Sequence, residues 1–469
     1  MDDLALAGYL ERSKDRILTT LSDWLRIPSI SADPAHVGDV ANSAEFCAGL
    51  LRDAGFHEVE IIPANVSGEN GAGLAPAVYG EWLGAGDDAP TVLVYGHHDV
   101  QPVDPLDEWT SPPFEPVVVD GLLLARGSCD DKGQVLMQAE AVRGLLGEMG
   151  ALPVNLKFLI EGEEEVGSPH FEDLLERERE RLATDVIVVS DTTMVAADIP
   201  STTLSMRGLV CFDVALRTAK SDLHSGLWGG AVPNAALLAA RVAASLHDGL
   251  GRVTLPGFYD RVRELSEEET RSLGAVPFEE AEFCSQAGVS YLEGEAGRTP
   301  YERTGTRPTA EVTGLHAGYG GPGMKTIVPA TANIKVAIRL VPDQGPEEIA
   351  ASFRTWLAAH IPEGAEVTVT PLGGVAPLLT PLDHPAVQTL CGAIERVWGK
   401  KPLFTRSGGS GPEEALGRVL GAPVIFLGVG LPGDNFHAPN ERLELDQLWR
   451  GVLAAGELLL DLGTLKVGQ

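Results

Sequence analysis

The chain has 469 residues, with 35 Lys and Arg against 67 Asp and Glu, a formal net charge of −32. That length exceeds what one hydrophobic core organises, so two domains, or one domain carrying a large insertion, are expected. The surplus of negative charge excludes nucleic acid and anionic membrane as partners, since both attract cationic faces, and otherwise reads as a solvated surface.

In chain order, the first residues are acidic and then amphipathic, with neither the basic nor the apolar region of a secretory signal. No apolar run reaches the ~18 to 20 residues a membrane helix requires. The cysteines Cys47, Cys129, Cys211, Cys284 and Cys391 lie far apart and form no CxxC pair, which fits reduced thiols in a cytoplasmic protein. Apolar spacing predicts helices over 9–25 and 42–53, and short apolar runs predict strands at 77–82, 91–95, 117–119, 122–125, 154–160 and 185–190. Helices are predicted over 133–147 and 170–181, and strands alternating with helices imply an α/β fold with a mostly parallel sheet. The same grammar returns in a helix over 385–398, a strand at 424–427 and a helix over 445–462.

The middle reads differently. Strands at 208–217, 308–315, 328–340 and 365–370 alternate with helices over 233–247 and 346–360, the βαββαβ order of ferredoxin-like α+β sandwiches. A polar, Gly-rich insertion over 249–307 interrupts it. The expected organisation is an α/β catalytic domain from residues 1–205 and 377–469, with an α+β domain, 206–376, inserted between them.

Four apolar strands run into metal-ligating residue types: TVLVYG into His97-His98-Asp99, VNLKFLIEG into Glu163-Glu164-Glu165, DVIVVS into Asp191, and VIFLGVGLPGDNF into His437. In open α/β sheets the site lies beyond the carboxyl ends of the strands, so these loops should converge. Burying so many charges beside apolar strands costs several kcal/mol unless they are paired or bound to metal. Imidazole and carboxylate without a thiolate cluster suit Zn²⁺, Mn²⁺ or Co²⁺ in a hydrolytic centre. Alternation along an extended chain puts His97 and Asp99 on one face, so that Asp99 can orient His97, and leaves His98 a structural role. Asp130 and Asp131 precede the helix over 133–147, where two acids could cap it or one could bridge two cations. Glu161 and Glu163 read as solvated or supporting groups.

YGHHDVQP (95–102), ARGSCDDKG (125–133), EGEEEVGS (161–168), SDTTM (190–194), DLHSGLWGG (222–230) and NFHAPNE (435–441) together resemble the M20 family of metallopeptidases over nearly the whole chain. GMKTIVPA (323–330), AIRLVPDQ (337–344) and RSGGSGPE (406–413) are similar to its cytosolic non-specific dipeptidase and carnosinase branch. The resemblance implies two divalent ions per subunit, zinc first and manganese or cobalt as alternatives. Asp130 would bridge them, His97 and Asp191 would complete one site, and Glu165 and His437 the other. It makes Glu164 the general base on a bridging hydroxide, Asp99 the support of His97, and the Asp130–Asp131 peptide cis. The inserted domain resembles the family's lid and dimerisation domain. From it His224 would reach the partner subunit's active site, while Arg339, Thr326 and Ser410 contact substrate. Taken alone, His224 could instead cap a helix and Arg339 could be an outward surface charge. The implied activity is hydrolysis of dipeptides bearing a free carboxy terminus, in a cytoplasmic homodimer. The alternative is an N-acyl-amino-acid deacylase or desuccinylase using the same site.

Overall fold

The computed structural model of the chain describes residues 2–63 and 75–465. It forms two compact units, one from Met1–Leu204, Thr380–Thr405 and Gly411–Gln469, the other from Ser205–Leu379 and Arg406–Ser410.

The first unit is built on a six-stranded sheet in the order Glu58–Ile62, Ala77–Trp82, Asn155–Glu161, Thr91–His97, Val186–Val189, Val424–Phe426. The last four strands run parallel. Asn155–Glu161, Val186–Val189 and Val424–Phe426 are buried at every residue, as strands covered on both faces must be; the last two are accordingly apolar runs, while the first also buries Asn155, Lys157 and Glu161. The helix Lys132–Met149 packs against Asp2–Leu25, Val37–Ala54 and Leu445–Leu462, so most of its circumference is buried and its sequence carries little amphipathic pattern.

Two features depart from the expected parallel sheet. Ala77–Trp82 and Glu58–Ile62 are antiparallel additions at one edge. Glu58–Ile62 lies at the rim with both glutamates exposed, and those charges hide it in the sequence. The runs at Val117–Val119 and Leu122–Leu124 do not enter the main sheet at all. They form a hairpin turning through Asp120 and Gly121, both with positive φ, and Leu122–Leu124 also pairs with Arg442–Glu444, which makes a separate three-stranded sheet.

The second unit holds a four-stranded antiparallel sheet in the order Thr309–Ala317, Thr331–Leu340, Gly208–Arg217, Glu366–Val375. Along the chain these strands and the helices Ala235–Ser245 and Pro346–His360 follow a β-α-β-β-α-β order. Alternation in Gly208–Arg217 and Thr331–Leu340 turns Phe212, Val214, Ile334 and Val336 to one face, where they bury against Phe353 and Trp356. The Phe212 and Phe353 rings stack 4.4 Å apart. The 249–307 segment is not featureless: it contains the helices Glu267–Gly274 and Glu280–Ala287, the first started by a capping box between Ser266 and Glu269. No helix among the described residues is long and apolar enough to cross a membrane, and the five cysteines are free of disulfides.

Candidate metal centre

The parallel strands of the first unit deliver their acidic and imidazole residues to one end of the sheet. His97 is the last residue of Thr91–His97, and Glu164 and Glu165 open the 3-10 turn Glu164–Val166 after Asn155–Glu161. Asp191 follows Val186–Val189, and His437 lies in the loop after Val424–Phe426. Asp130 and Asp131 stand at the start of Lys132–Met149, joined by a cis peptide.

Among the described residues, two groups place one donor atom from each member within 4.8 Å of the others: His97, Asp130 and Asp191, and Asp130, Glu165 and His437. Asp130 is common to both. Its Oδ1 lies 3.0 Å from His97 Nε2 and its Oδ2 3.0 Å from His437 Nε2. Asp191 Oδ2 is 3.6 Å from the same His97 nitrogen, and Glu165 Oε2 is 3.3 Å from His437 Nε2. The His437 side chain is 57% exposed while those of Asp130 and Glu165 are almost fully buried, so the second group opens toward solvent on its histidine side. His437 itself has φ +58°, a left-handed conformation that a non-glycine residue adopts at a cost of roughly 1 kcal/mol or more.

Supporting bonds set this geometry. The Asp99 carbonyl bonds His97 Nδ1 at 3.1 Å with Asp99 Oδ1 3.4 Å from the same nitrogen, and the Asp99 carboxylate accepts the backbone N–H of Glu164 and Glu165 at 3.3 and 3.1 Å, tying one strand end to the next. Gln101 donates to Glu165 Oε2 at 2.8 Å. His98 points away and bonds the carbonyl of Pro76 at 2.8 Å, and burial drives its pKa down to about 4, so it is a neutral structural residue. Glu161 and Glu163 are buried, not solvated. Glu161 accepts from Tyr95 at 2.5 Å and Ser168 at 3.0 Å, and Glu163 accepts from His170.

The electrostatics is that of several buried acids sharing two imidazoles, His97 and His437. Burial alone would depress the His97 imidazole, yet Asp130, Asp191 and Asp99 outweigh it and raise it well above its ordinary value. Burial also opposes ionisation of Asp130, but hydrogen bonds from His437 and His97 hold it low. Burial pushes Glu164 up to about 7 and Glu165 up to about 10, relieved in part by His97 and reinforced by the charge of Asp130. Imidazole and carboxylate donors converging on a shared Asp130 fit divalent cations, whose charge would relieve this repulsion.

Three contributors have no assigned role in the sequence reading. Glu441, fully buried, accepts from Arg126 Nη1 at 2.8 Å and from the backbone of Gly127, Cys129 and Asp130 at 2.9 to 3.0 Å, so it shapes the loop presenting Asp130. It ends the NFHAPNE run, but a lone glutamate carries no signal of burial. The buried Glu413 is silent for the same reason, and nothing in the type of Gln101 announces its bond to Glu165.

The remaining expected site residues lie in the second unit. Arg339 Nη1 donates to Ser410 Oγ at 2.8 Å. His224 is exposed, pairs with Ile327 in a short antiparallel bridge, and accepts the Gly226 N–H on Nδ1 at 3.0 Å, capping the turn Ser225–Trp228. Thr326 is exposed, and its carbonyl accepts the N–H of Ser225.

A family profile described as Peptidase family M20/M25/M40 matches residues 93–461. The chain is 29% identical to the Beta-Ala-His dipeptidase of Homo sapiens over 447 residues, 93% of this chain and 88% of that protein. It is 29% identical to the Cys-Gly metallodipeptidase of Schizosaccharomyces pombe over 464 residues, 95% of each. A solved M20 family metallo-carboxypeptidase from Sulfolobus solfataricus superposes with a TM-score of 0.81 at 30% identity, covering 96% of this chain and 99% of that one.

Proposed function

This chain belongs to peptidase family M20/M25/M40, and from that premise we propose that it is a metallodipeptidase holding two divalent ions. The dipeptidase relatives support the substrate class. The observation that carries the reading is Asp130, whose two oxygens face two different histidines at 3.0 Å each. Asp130, His97 and Asp191 would hold one ion, and Asp130, Glu165 and His437 the other, with zinc preferred over manganese or cobalt. Bound there, the ions would supply Lewis acidity toward the scissile carbonyl and acidify a water. Glu164, its backbone held by Asp99 beside the ligand cluster, takes the proton of the attacking water and passes it to the leaving amine. Asp99 keeps His97 oriented and fixes the turn that carries Glu164.

In this reading Arg339, steadied by Ser410, binds the substrate's carboxylate as a planar guanidinium is suited to do, and Thr326 contacts substrate. The protein acts as a cytoplasmic homodimer joined through the second unit, from which His224 reaches the partner subunit's oxyanion.

Metal-stripped protein reloaded with Zn²⁺, Mn²⁺ or Co²⁺ and offered alanyl-alanine, N-acetylalanine and N-succinylalanine tests it. Metal-dependent cleavage of the dipeptide is expected. Selective cleavage of an N-acyl amino acid would instead identify a deacylase using the same site.

A further inference from the structure

The 406–410 loop, which carries Ser410, is wedged backbone to backbone against the end of the 249–307 segment. A Cβ on Gly305 would lie 2.4 Å from the carbonyl oxygen of Arg406, and a Cβ on Gly408 would lie 2.5 Å from that of Thr304. Neither chain can carry a side chain at its point of approach, so the two glycines mark a contact closer than any other residue permits. One side chain ties the pieces together. Arg207 Nε donates to the Gly408 carbonyl at 3.1 Å, and its Nη1 reaches the carbonyls of Arg303 and Arg307 and the Thr309 hydroxyl at 3.4 Å each. The Arg207 carbonyl accepts the Ser410 hydroxyl at 2.5 Å, and the same hydroxyl accepts from Arg339 Nη1 at 2.8 Å. Arg406 forms an ion pair with Glu269, the residue that completes the capping box of Glu267–Gly274. Arg307 grips Glu295 through two bonds of 2.7 Å, with both side chains nearly buried.

We propose that Arg207 and the 249–307 segment form a positioning device that sets the Ser410–Arg339 pair for recognition of the substrate carboxylate. This rests on the carboxylate-binding role of Arg339 proposed above. Arg207 touches no substrate; it acts through the loop. Its own guanidinium is turned to loop carbonyls, and burial together with the nearby charge of Arg339 lowers its pKa to about 10, consistent with two cations held close. The Ser410 hydroxyl spends its proton on the Arg207 carbonyl, which leaves its lone pairs toward Arg339 and fixes which way the hydroxyl points. The segment thereby acts on specificity without contributing a ligand.

The test is a double-mutant cycle on the metal-loaded enzyme with alanyl-alanine as substrate. Arg207→Gln is expected to raise KM about tenfold with kcat nearly unchanged, the size of a lost hydrogen bond to a charged group. In an Arg339→Gln background the same change should raise KM no further, since residues acting through one contact are not additive. Additive effects in the cycle, or a fall in kcat with KM unchanged, would overturn the proposal. Should Arg207→Gln not fold, Glu269→Gln, which frees Arg406 at the rim of the same loop, is put through the same cycle, with a smaller KM increase that again disappears in the Arg339→Gln background. If Arg339→Gln alone leaves KM at the wild-type value, the carboxylate role itself fails, and the positioning proposal falls with it. A normal effect of Arg339→Gln beside an unaltered Arg207→Gln enzyme overturns the positioning role only.

Discussion

At the scale of single residues, Glu413 shows how the site's acids depend on what neutralises them. It is buried, and Oε2 has no hydrogen-bond partner among the described residues. Burial first, and then the charges of Asp191 and Glu164, push it up to about 8 from an ordinary 4.5. A carboxyl whose pKa is raised on folding binds more protons folded than unfolded. Its stabilising contribution is therefore full below about pH 4.5 and is lost as pH rises through 8. Metal-free protein should thus lose stability across that window, and Glu413→Gln should flatten the decline by an amount on the order of 4 kcal/mol. Chemical denaturation of both proteins at pH 5 and pH 8 measures it; identical slopes would show that Glu413 ionises freely in the folded state. The sequence held no trace of this residue's burial, since a Glu opening a short helix reads as a surface acid favoured by the helix dipole.

At the scale of elements, the helix Lys132–Met149 and the loop before it are one device. Glu441 collects the N–H groups of Gly127, Cys129 and Asp130, and the helix follows at once. Gly133 makes this possible: a Cβ there would lie 2.0 Å from the Ser128 carbonyl oxygen and 2.8 Å from Leu443 Cδ2. Gly133→Ala must push the loop aside, so it should cost roughly 2–4 kcal/mol of stability and weaken metal binding at Asp130. Titration of the metal-stripped variant with Zn²⁺, read by calorimetry, checks this, and wild-type affinity would mean that the loop yields without moving Asp130. The positions of strands and helices in the first unit were legible because buried parallel strands are largely apolar runs. Which strands join which sheet was not: Val117–Val119 and Leu122–Leu124 look like core strands, yet Val117, Val118 and Val119 are exposed and lie in a side hairpin. Local hydrophobicity cannot specify a partner, because the hydrogen bonds that choose it come from a distant part of the chain.

At the scale of the whole molecule, the proposed homodimer has a consequence that no single subunit shares. Glu164→Gln removes the base from its own site, while His224→Ala removes an imidazole from the neighbouring one. Each variant alone should be nearly inactive. Mixed in equal amounts and allowed to exchange subunits, half the dimers are mixed, and one of the two sites in each is whole, restoring activity to about a quarter of wild type. Exchange verified by mass spectrometry without any recovery would place His224 outside the reaction. The exposure of His224 and its capping of Ser225–Trp228 leave Nε2 free to act beyond its own turn.

By itself the sequence determined that chemistry-bearing residues stand at the ends of apolar strands, because strand period, burial and turn chemistry are local properties of consecutive residues. It also carried the net charge of −32, a property of composition that needs no fold to be read. Only the tertiary structure decided that Asp130 faces His97 and His437 at the same distance, that Glu441 shapes the loop from more than 300 residues away, and that Arg207 links an insertion to Ser410. These are distances between segments remote in the chain. A burial cost or a shared oxygen arises only once packing brings such segments together, and no residue's type announces it.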